Sequence, residues 1–246
     1  MKTTRRLFYL CWLATFTSLA GTPVVSPGGV APSNSSGGPI AIQATDQLVY
    51  ADFENVKDKR AFSNRGGYVQ IIQYSERPTL PCRFKGLEGS NPPAPELARL
   101  RPDDPNRAIA FDYELQALNA WAGVGVQVQG KEDKDGKPVS DDVSSYKYLT
   151  MQIYVTGVQW LRIEFISKGQ GMDMQSGYPQ MNFPVKPGFN TYRIPLEKLS
   201  QPGYAEVKVK VKDLLKKLTA VNLSVYCDQC TTTKGTLVVD NMIFQN

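Results

Sequence analysis

The 246-residue chain contains no histidine, and this absence restricts its possible chemistry. Without an imidazole there is no Ser-His-Asp or Cys-His nucleophile system, no HExxH-type zinc site and no imidazole acid–base catalysis near neutral pH. Pairs of carboxylates remain available, as in glycoside hydrolysis. The sequence therefore favours binding, with a carboxylate mechanism as the enzymatic alternative.

An excess of charge of either sign is also lacking. The formal net charge is +5, and it falls to +2 when Lys2, Arg5 and Arg6 are left out. A nearly neutral protein has no electrostatic surface of the kind that attracts nucleic acid or an anionic membrane. We therefore expect neither as a partner.

Residues 1–20 have the pattern of a secretory signal peptide. A basic start precedes the apolar run LFYLCWLATF, and the small residues Ser18 and Ala20 follow it. The apolar run is shorter than the roughly 20 residues that a membrane-spanning helix needs. We predict cleavage after Ala20, no membrane span afterwards, and a secreted, periplasmic or otherwise extracellular protein.

Residues 21–45 carry no charge and are rich in Pro, Gly, Ser and Ala. Such a segment buries too little apolar surface to offset the entropy that ordering would cost, so we predict a disordered linker. The remaining residues, 46–246, are enough for one β domain with a hydrophobic core.

No segment of ten or more residues after residue 20 shows the period of a helix, whereas many show the period of two that is typical of strands. In residues 146–167, two alternating runs are separated by Gly157. Such runs predict strands with one buried face, because successive side chains point to opposite sides of a sheet. Further strands are predicted over residues 46–55, 67–74, 107–115, 121–129, 189–196, 220–227 and 235–244. About nine short strands between turn signals predict an all-β sandwich or barrel.

The other stretches predict connections and an edge strand. Residues 76–104 and 168–187 are rich in Pro or Gly and are predicted to be long connections. Residues 205–212, AEVKVKVK, alternate Val and Lys and predict an edge strand whose lysines block pairing with other chains. One or two helical turns are predicted over residues 213–218.

Several motifs occur in a characteristic order along the domain: ADFEN at 51–55, NRGGYV at 64–69, AIAFDYEL at 108–115, NAWAGVGVQV at 119–128, DVSSYKYLTMQIYVTG at 142–157, NTYRIPLEKL at 190–199 and GTLVVDNMIF at 235–244. In this order they resemble the galactose-binding-like jelly rolls, specifically family 11-type carbohydrate-binding modules and the related domain of the complex I intermediate-associated protein. The resemblance covers nearly all of residues 46–246. It implies an all-β, two-sheet jelly-roll β-sandwich with one concave sheet, and non-catalytic binding of a β-glucan-like polysaccharide.

Aromatic and polar side chains on outward strand faces are the candidates for a sugar site, because a ring can lie against the apolar face of a sugar while polar neighbours bond its hydroxyls. Trp160 is out of phase with the apolar residues that follow it, so we expect it on the outer face. The full candidate set is Trp121, Gln152, Tyr154, Trp160, Arg162, Glu164 and Tyr178. The alternatives are that the rings pack in the core and that the polar faces of the two strands belong to different sheets.

The resemblance also implies a structural Ca²⁺, which in such modules often binds where the first and last strands lie together. The matching positions here are Asp52, Glu54 and Asp240. Oxygen ligands from distant parts of the chain would close the fold. The alternative is a set of solvated carboxylates at strand ends.

Cys82, Cys227 and Cys230 remain once the signal peptide is removed. Three cysteines without histidine cannot complete the common zinc ligand sets. In a secreted protein a structural disulfide is the first expectation, and we predict Cys227–Cys230. A pairing of Cys82 with one of the other two is the alternative.

Carboxylate pairs are the remaining route to catalysis, and Asp112, Glu114 and Glu164 are the candidates. Any β protein offers such pairs, so we predict no catalytic residues. The predicted function is that of a secreted, monomeric, non-catalytic polysaccharide-binding protein. The alternative is a structural or assembly protein that uses the same sandwich to hold a protein partner.

Overall fold

The computed structural model describes residues 47–75, 77, 79, 82–99, 105–128, 139–167, 177–227 and 232–246, which fall in one compact unit. The predicted signal peptide and linker, residues 1–45, lie outside the described residues and stay predictions. Within the described ranges, no helix has the length and apolar character needed to cross a membrane.

Strands dominate the described part of the chain, as the alternating sequence pattern predicts. The strands are β1 Gln47–Ala51, β2 Val56–Lys57, β3 Arg60–Ala61, β4 Val69–Tyr74, β5 Arg83–Lys85, β6 Glu96–Arg99, β7 Arg107–Leu115, β8 Trp121–Gln127, β9 Tyr148–Val155, β10 Trp160–Ser167, β11 Gln180–Pro184, β12 Phe189–Pro195, β13 Leu218–Tyr226 and β14 Thr233–Gln245. A 3₁₀ turn, Leu196–Lys198, and a short helix, α1 Val211–Leu215, complete the elements.

Two antiparallel sheets contain most of these strands. In the seven-stranded sheet β12, β9, β14 and β7 lie side by side, β5 and β6 both pair with β7, and β1 pairs with β14. The five-stranded sheet has the order β11-β10-β13-β8-β4. β2 and β3 form a separate two-stranded ladder. The prediction of an all-β, two-sheet sandwich is confirmed.

The core lies between the two sheets and follows the alternation in the sequence. In β9 and β10 every second residue is buried. These side chains join buried residues from the other strands in one hydrophobic cluster. Each fully buried large apolar side chain stabilises the fold by about 1.5–3 kcal/mol, so the period of two is the main determinant of the architecture.

Residues 205–212 do not form the predicted edge strand. Residues 205–210 form a bend and irregular backbone, and α1 begins at Val211. The Gln201 side chain donates its Nε2 to the carbonyl of Val207 (2.9 Å) and accepts from the amide of Val209 (2.9 Å). Gln201 therefore takes backbone groups that a neighbouring strand would have paired. The helical turns predicted at 213–218 begin two residues earlier.

The two predicted long connections contain strands. β5 and β6 lie within residues 76–104, and β11 lies within residues 168–187. Both β5 and β6 are short and lack a clear alternating pattern, and each is held by pairing with the long strand β7. Their existence depends on a partner distant in sequence, which local pattern does not reveal.

Candidate functional site

The structure divides the predicted sugar-binding residues between the two sheets. Trp121 on β8 and three residues of β10, Trp160, Arg162 and Glu164, lie on the outer face of the five-stranded sheet. Gln152 and Tyr154 lie on β9 in the seven-stranded sheet, and Tyr178 lies just before β11. The polar faces of β9 and β10 therefore belong to different sheets, which was one of the alternatives.

Three aromatic rings form a row across the five-stranded sheet. Trp121 is in register with Tyr74 of β4 on one side and with Tyr226 of β13 on the other. The ring centroids are 6.2 and 6.3 Å apart, and the ring planes are inclined by 24° in both pairs. Tyr74 is 51% exposed. We call Tyr74, Trp121 and Tyr226 the aromatic row.

Arg162 extends the aromatic row onto the next strand. Its guanidinium carbon lies 3.9 Å from the centroid of the Tyr226 ring. Its Nε donates to Asn182 Oδ1 (2.9 Å), and its Nη1 donates to the Tyr226 hydroxyl (2.6 Å). These contacts fix a planar cation at the edge of the rings, and a fixed donor pays little entropy when it binds a ligand.

Trp160 precedes Arg162 on the same face and is 52% exposed. It is in register with Pro184 of β11. On its other side Leu161 pairs with Val225, so Trp160 and Tyr226 occupy neighbouring positions of adjacent strands. An indole that is half exposed on an ordered strand is available to a ligand.

Glu164 lies in the polar part of the same face, in register with Asn222 and Gln180. Burial raises the pKa of its carboxyl above 4.5, against the opposing effects of Arg162 and of a hydrogen bond with Asn222. A half-buried carboxylate whose charge is partly balanced by a nearby guanidinium can accept hydrogen bonds from ligand hydroxyls.

Two tyrosines lie beside this polar part. Tyr204 is 56% exposed, and its pKa is raised by burial and by the charge of Glu164, with a smaller effect of Tyr178. The segment before Tyr178 packs on the segment before Tyr204, because a Cβ added at Gly177 would lie 2.3 Å from Pro202 Cγ. Gly177 has a φ of +57°, which favours glycine. The two tyrosines are thus held near Glu164.

Sequence reasoning missed several residues of this face. Tyr74, Tyr226, Asn182, Asn222 and Tyr204 were not among the predicted site residues. Tyr74 and Tyr226 are each out of phase with the nearest large buried apolar residues of their strands, so the alternation could have placed both on an outward face. The row itself arises from strand order and register, which the sequence does not contain.

The three predicted calcium ligands lie where β1 pairs with β14, at the two ends of the domain. Asp240 is buried, and its oxygens accept from Asn106 Nδ2 (2.6 Å) and from the Asn241 amide (2.7 Å). Burial is the main cause that raises the pKa of Asp240 to about 6; the charges of Glu54 and Asp52 act in the same direction, and the hydrogen bonds from Asn106 and Asn241 oppose them. The three carboxylates are therefore close enough to interact.

The fit of these residues to Ca²⁺ is partial. Asp52 accepts from Asn64 Nδ2 (3.0 Å), and Glu54 accepts from the amide of Arg107 (2.5 Å). Among the described residues, no three Asp, Glu, His or Cys side chains converge as a metal cluster. Carboxylate oxygens suit Ca²⁺, but backbone carbonyls would have to complete the ligand set. Calcium therefore stays a prediction.

The cysteine prediction is tested only in part. Cys82 is a free, buried thiol, and its Sγ lies 3.1 Å from the carbonyl of Tyr74 and 3.5 Å from that of Trp121. This finding removes the alternative in which Cys82 pairs with another cysteine. Cys227 is buried, and Cys230 lies outside the described residues, so the Cys227–Cys230 disulfide stays a prediction.

The structure separates Glu164 from the other two carboxylates considered for catalysis. Asp112 and Glu114 lie on the outer face of the seven-stranded sheet, where they accept from Thr236 Oγ1 (2.6 Å) and Gln116 Nε2 (2.6 Å) respectively. Glu164 lies on the outer face of the other sheet. Two carboxyl groups on opposite sides of a sandwich cannot act on one glycosidic bond.

Comparisons with known proteins define the fold. The chain matches no family model and no curated protein. Among solved structures it is similar to a family 11 carbohydrate-binding module from Clostridium thermocellum in complex with a β-1,3-1,4-mixed-linked tetrasaccharide. The identity is 13%, the alignment covers 82% of this chain and 97% of that one, and the TM-score is 0.50.

Two further structures are similar. One is the family 11 module of the cellulosomal cellulase Lic26A-Cel5E of Clostridium thermocellum, with 13% identity, coverage of 82% and 96%, and a TM-score of 0.49. The other is a β-1,2-glucanase from Parabacteroides distasonis, with 17% identity, coverage of 80% and 25%, and a TM-score of 0.45. At 13% identity, the likeness to the module solved with the tetrasaccharide shows the jelly-roll sandwich alone.

Proposed function

We propose that the outer face of the five-stranded sheet binds a polysaccharide without cleaving it. The observation that carries this proposal is the aromatic row, which is continued by the fixed guanidinium of Arg162. From Tyr74 to Trp160 the face spans three strand spacings, which is about 14 Å. A surface of this length suits an extended chain of sugar rings.

The chemistry of the face matches that of a sugar chain. The aromatic row and Trp160 offer apolar surface to the C–H faces of the rings. Polar side chains beside the row can bond the hydroxyl groups, and these are Arg162, Glu164, Gln180, Asn182 and Asn222. Mixed apolar and polar contact of this kind is typical of sites for small polar ligands.

The structural likeness selects the first ligand to test. The similar family 11 module was solved with a β-1,3-1,4-mixed-linked tetrasaccharide. We propose a β-glucan-like polysaccharide for this chain. We also propose that the protein acts outside the cytoplasm, as the signal-peptide pattern favours, and that it is a monomer.

Affinity electrophoresis in gels containing mixed-linkage β-glucan, β-1,3-glucan, soluble cellulose derivatives or xylan tests the proposal. We expect retardation by at least one polymer, and about tenfold or greater weakening in Trp121→Ala, because a central aromatic carries a large share of binding energy. Tyr148→Ala is the matched control, since Tyr148 lies on β9 in the other sheet.

Three results would count against the proposal. A folded wild-type protein that no polysaccharide retards would remove it, and co-purification of a defined protein partner unaffected by sugar would favour the assembly role. Release of reducing ends from a glycan by the wild-type protein would contradict the non-catalytic part.

A further inference from the structure

One hollow in the described part of the chain lies at one end of the sandwich, beside Trp160. It has a volume of about 680 Å³ and lies against two loops, residues 156–159 between β9 and β10 and residues 185–188 between β11 and β12. Both loops pass from one sheet to the other. Trp160 and Tyr154, which belong to different sheets, both line this hollow.

Hydrogen bonds hold the two loops of the hollow to each other and to β12. The amide of Val185 donates to the carbonyl of Gln159 (2.9 Å) and joins them. Asn190 Nδ2 lies 3.0–3.2 Å from the carbonyls of three successive residues, 186–188. The amide of Lys186 donates to the Tyr192 hydroxyl (2.8 Å). A site fixed in advance spends little binding energy on ordering.

The lining combines apolar rings with polar tips. Trp160, Tyr154 and Pro184 supply apolar surface, while Gln159 and Lys186 are exposed and can present an amide and an ammonium group. The volume lies in the range of 300–1,000 Å³ that is typical of small-ligand sites. This combination suits a hydroxylated ring better than a purely apolar ligand, because each hydroxyl needs a partner when it leaves water.

Trp160 connects the hollow to the aromatic row. It lines the hollow, and it also occupies the strand position next to Tyr226 on the outer face. We infer that the hollow is a second sugar subsite, which receives the next rings of the polysaccharide after it leaves the aromatic row over Trp160. This inference rests on the proposed function. It adds that the bound polysaccharide runs along the face towards Trp160 and ends in the hollow.

A size series of oligosaccharides tests the inference by titration calorimetry. The series is made from the polysaccharide that retards the wild-type protein, beginning with mixed-linkage β-glucan from disaccharide to octasaccharide. We expect affinity to increase further for oligosaccharides that are long enough to extend past Trp160 into the hollow. Lys186→Ala should weaken the long members about fivefold, as one lost hydrogen bond does, and leave the short members unchanged.

Trp160→Ala should weaken the longer members most, because it interrupts the path into the hollow. Lys198→Ala is the matched control, since Lys198 is an exposed lysine that does not line the hollow. Equal affinity of Lys186→Ala and the wild type for every size would overturn the inference and leave the proposed function standing. Failure of every polysaccharide to bind the wild-type protein would overturn both.

Discussion

Arg162 and Arg193 make similar contacts on opposite sheets. Each guanidinium lies over a tyrosine ring, Arg162 at 3.9 Å from the centroid of Tyr226 and Arg193 at 3.5 Å from that of Tyr148. Arg162 is further held by Asn182, and it alone lies beside the aromatic row. Comparing substitutions of the two arginines therefore distinguishes a general effect of losing a guanidinium from a specific effect on polysaccharide binding.

Arg162→Lys is expected to weaken polysaccharide binding about tenfold. Lysine keeps the charge, but it lacks the planar fork that bonds Asn182 and Tyr226 together, so the cation at the edge of the row is no longer fixed. Arg193→Lys should leave affinity unchanged, although it removes a similar ring contact. Calorimetry on both variants decides, and an equal loss in both would argue against a specific role of Arg162.

The raised pKa of Glu164 predicts that the free energy of unfolding depends on pH. Because its pKa in the folded protein is raised above 4.5, ionisation costs more in the folded state than in the unfolded one. The free energy of unfolding of the wild type, relative to Glu164→Gln, should therefore fall as the pH rises from below 4.5 through the raised pKa. Arg162, Asn222 and Tyr204 are the polar and charged neighbours that set the size of the effect.

Urea unfolding of the wild type and Glu164→Gln at several pH values measures this difference. Glu197→Gln serves as the control, since Glu197 is exposed in the 3₁₀ turn and away from the face. If the stability of the wild type relative to Glu164→Gln increased with pH, the contacts of ionised Glu164 with its neighbours would outweigh the cost of burying its charge.

At the scale of elements, the closeness of β8 and β13 depends on glycine. A Cβ added at Gly123 would lie 2.3 Å from the carbonyl oxygen of Leu223, so the two strands cannot approach as they do with any larger residue. Gly123→Ala is therefore expected to destabilise the fold by about 1–3 kcal/mol through displaced backbone. Gly203→Ala, which meets nothing within 4 Å, should change stability little.

Urea unfolding with an unchanged m-value would attribute the loss in Gly123→Ala to the native state. Because β8 carries Trp121 and β13 carries Tyr226, the same variant should also disturb the aromatic row. Unchanged stability of Gly123→Ala would mean that the two strands separate at no cost.

The sequence predicts the long strands well, but it does not predict which strands pair with each other. The alternation in β9 and β10 predicts strands and buried faces, because apolar side chains at every second position must reach one core. In residues 205–212 the same kind of alternation misleads, because the Gln201 side chain occupies backbone groups and Val207 is left 45% exposed. Alternation predicts strands where a partner strand is available.

At the scale of the molecule, the candidate site depends on strand order. The aromatic row draws on β4, β8 and β13, which are distant in sequence and adjacent only in the folded sheet. Trp121 and Trp160 could be chosen from the sequence because strand phase places them outward. Tyr74 and Tyr226 become their neighbours through strand register. The sequence alone therefore indicates single residues of the binding face, but not that these residues lie side by side.

The fold also pairs the first and last strands of the described residues, which leads to the prediction on calcium. β1 pairs with β14, and the buried Asp240 lies near Asp52 and Glu54. We expect Ca²⁺ to bind the folded protein at these carboxylates and to stabilise it, because an ion that binds only the native state adds about 2.7 kcal/mol at a concentration 100 times its Kd. For a domain of this size that corresponds to a rise in Tm of about 5–10 °C.

Thermal unfolding after chelation, with and without added Ca²⁺, measures the rise in Tm. Asp240→Asn should abolish it, because the central carboxylate is lost, while Asp112→Asn should keep it, since Asp112 is an exposed carboxylate on the same sheet. Should Asp240→Asn fail to fold, Glu54→Gln gives the same test from the other end of the chain. Identical Tm values for chelated and Ca²⁺-supplemented wild type would show that hydrogen bonds from Asn106 and Asn241 suffice for Asp240, and that the two chain ends are joined by strand pairing alone.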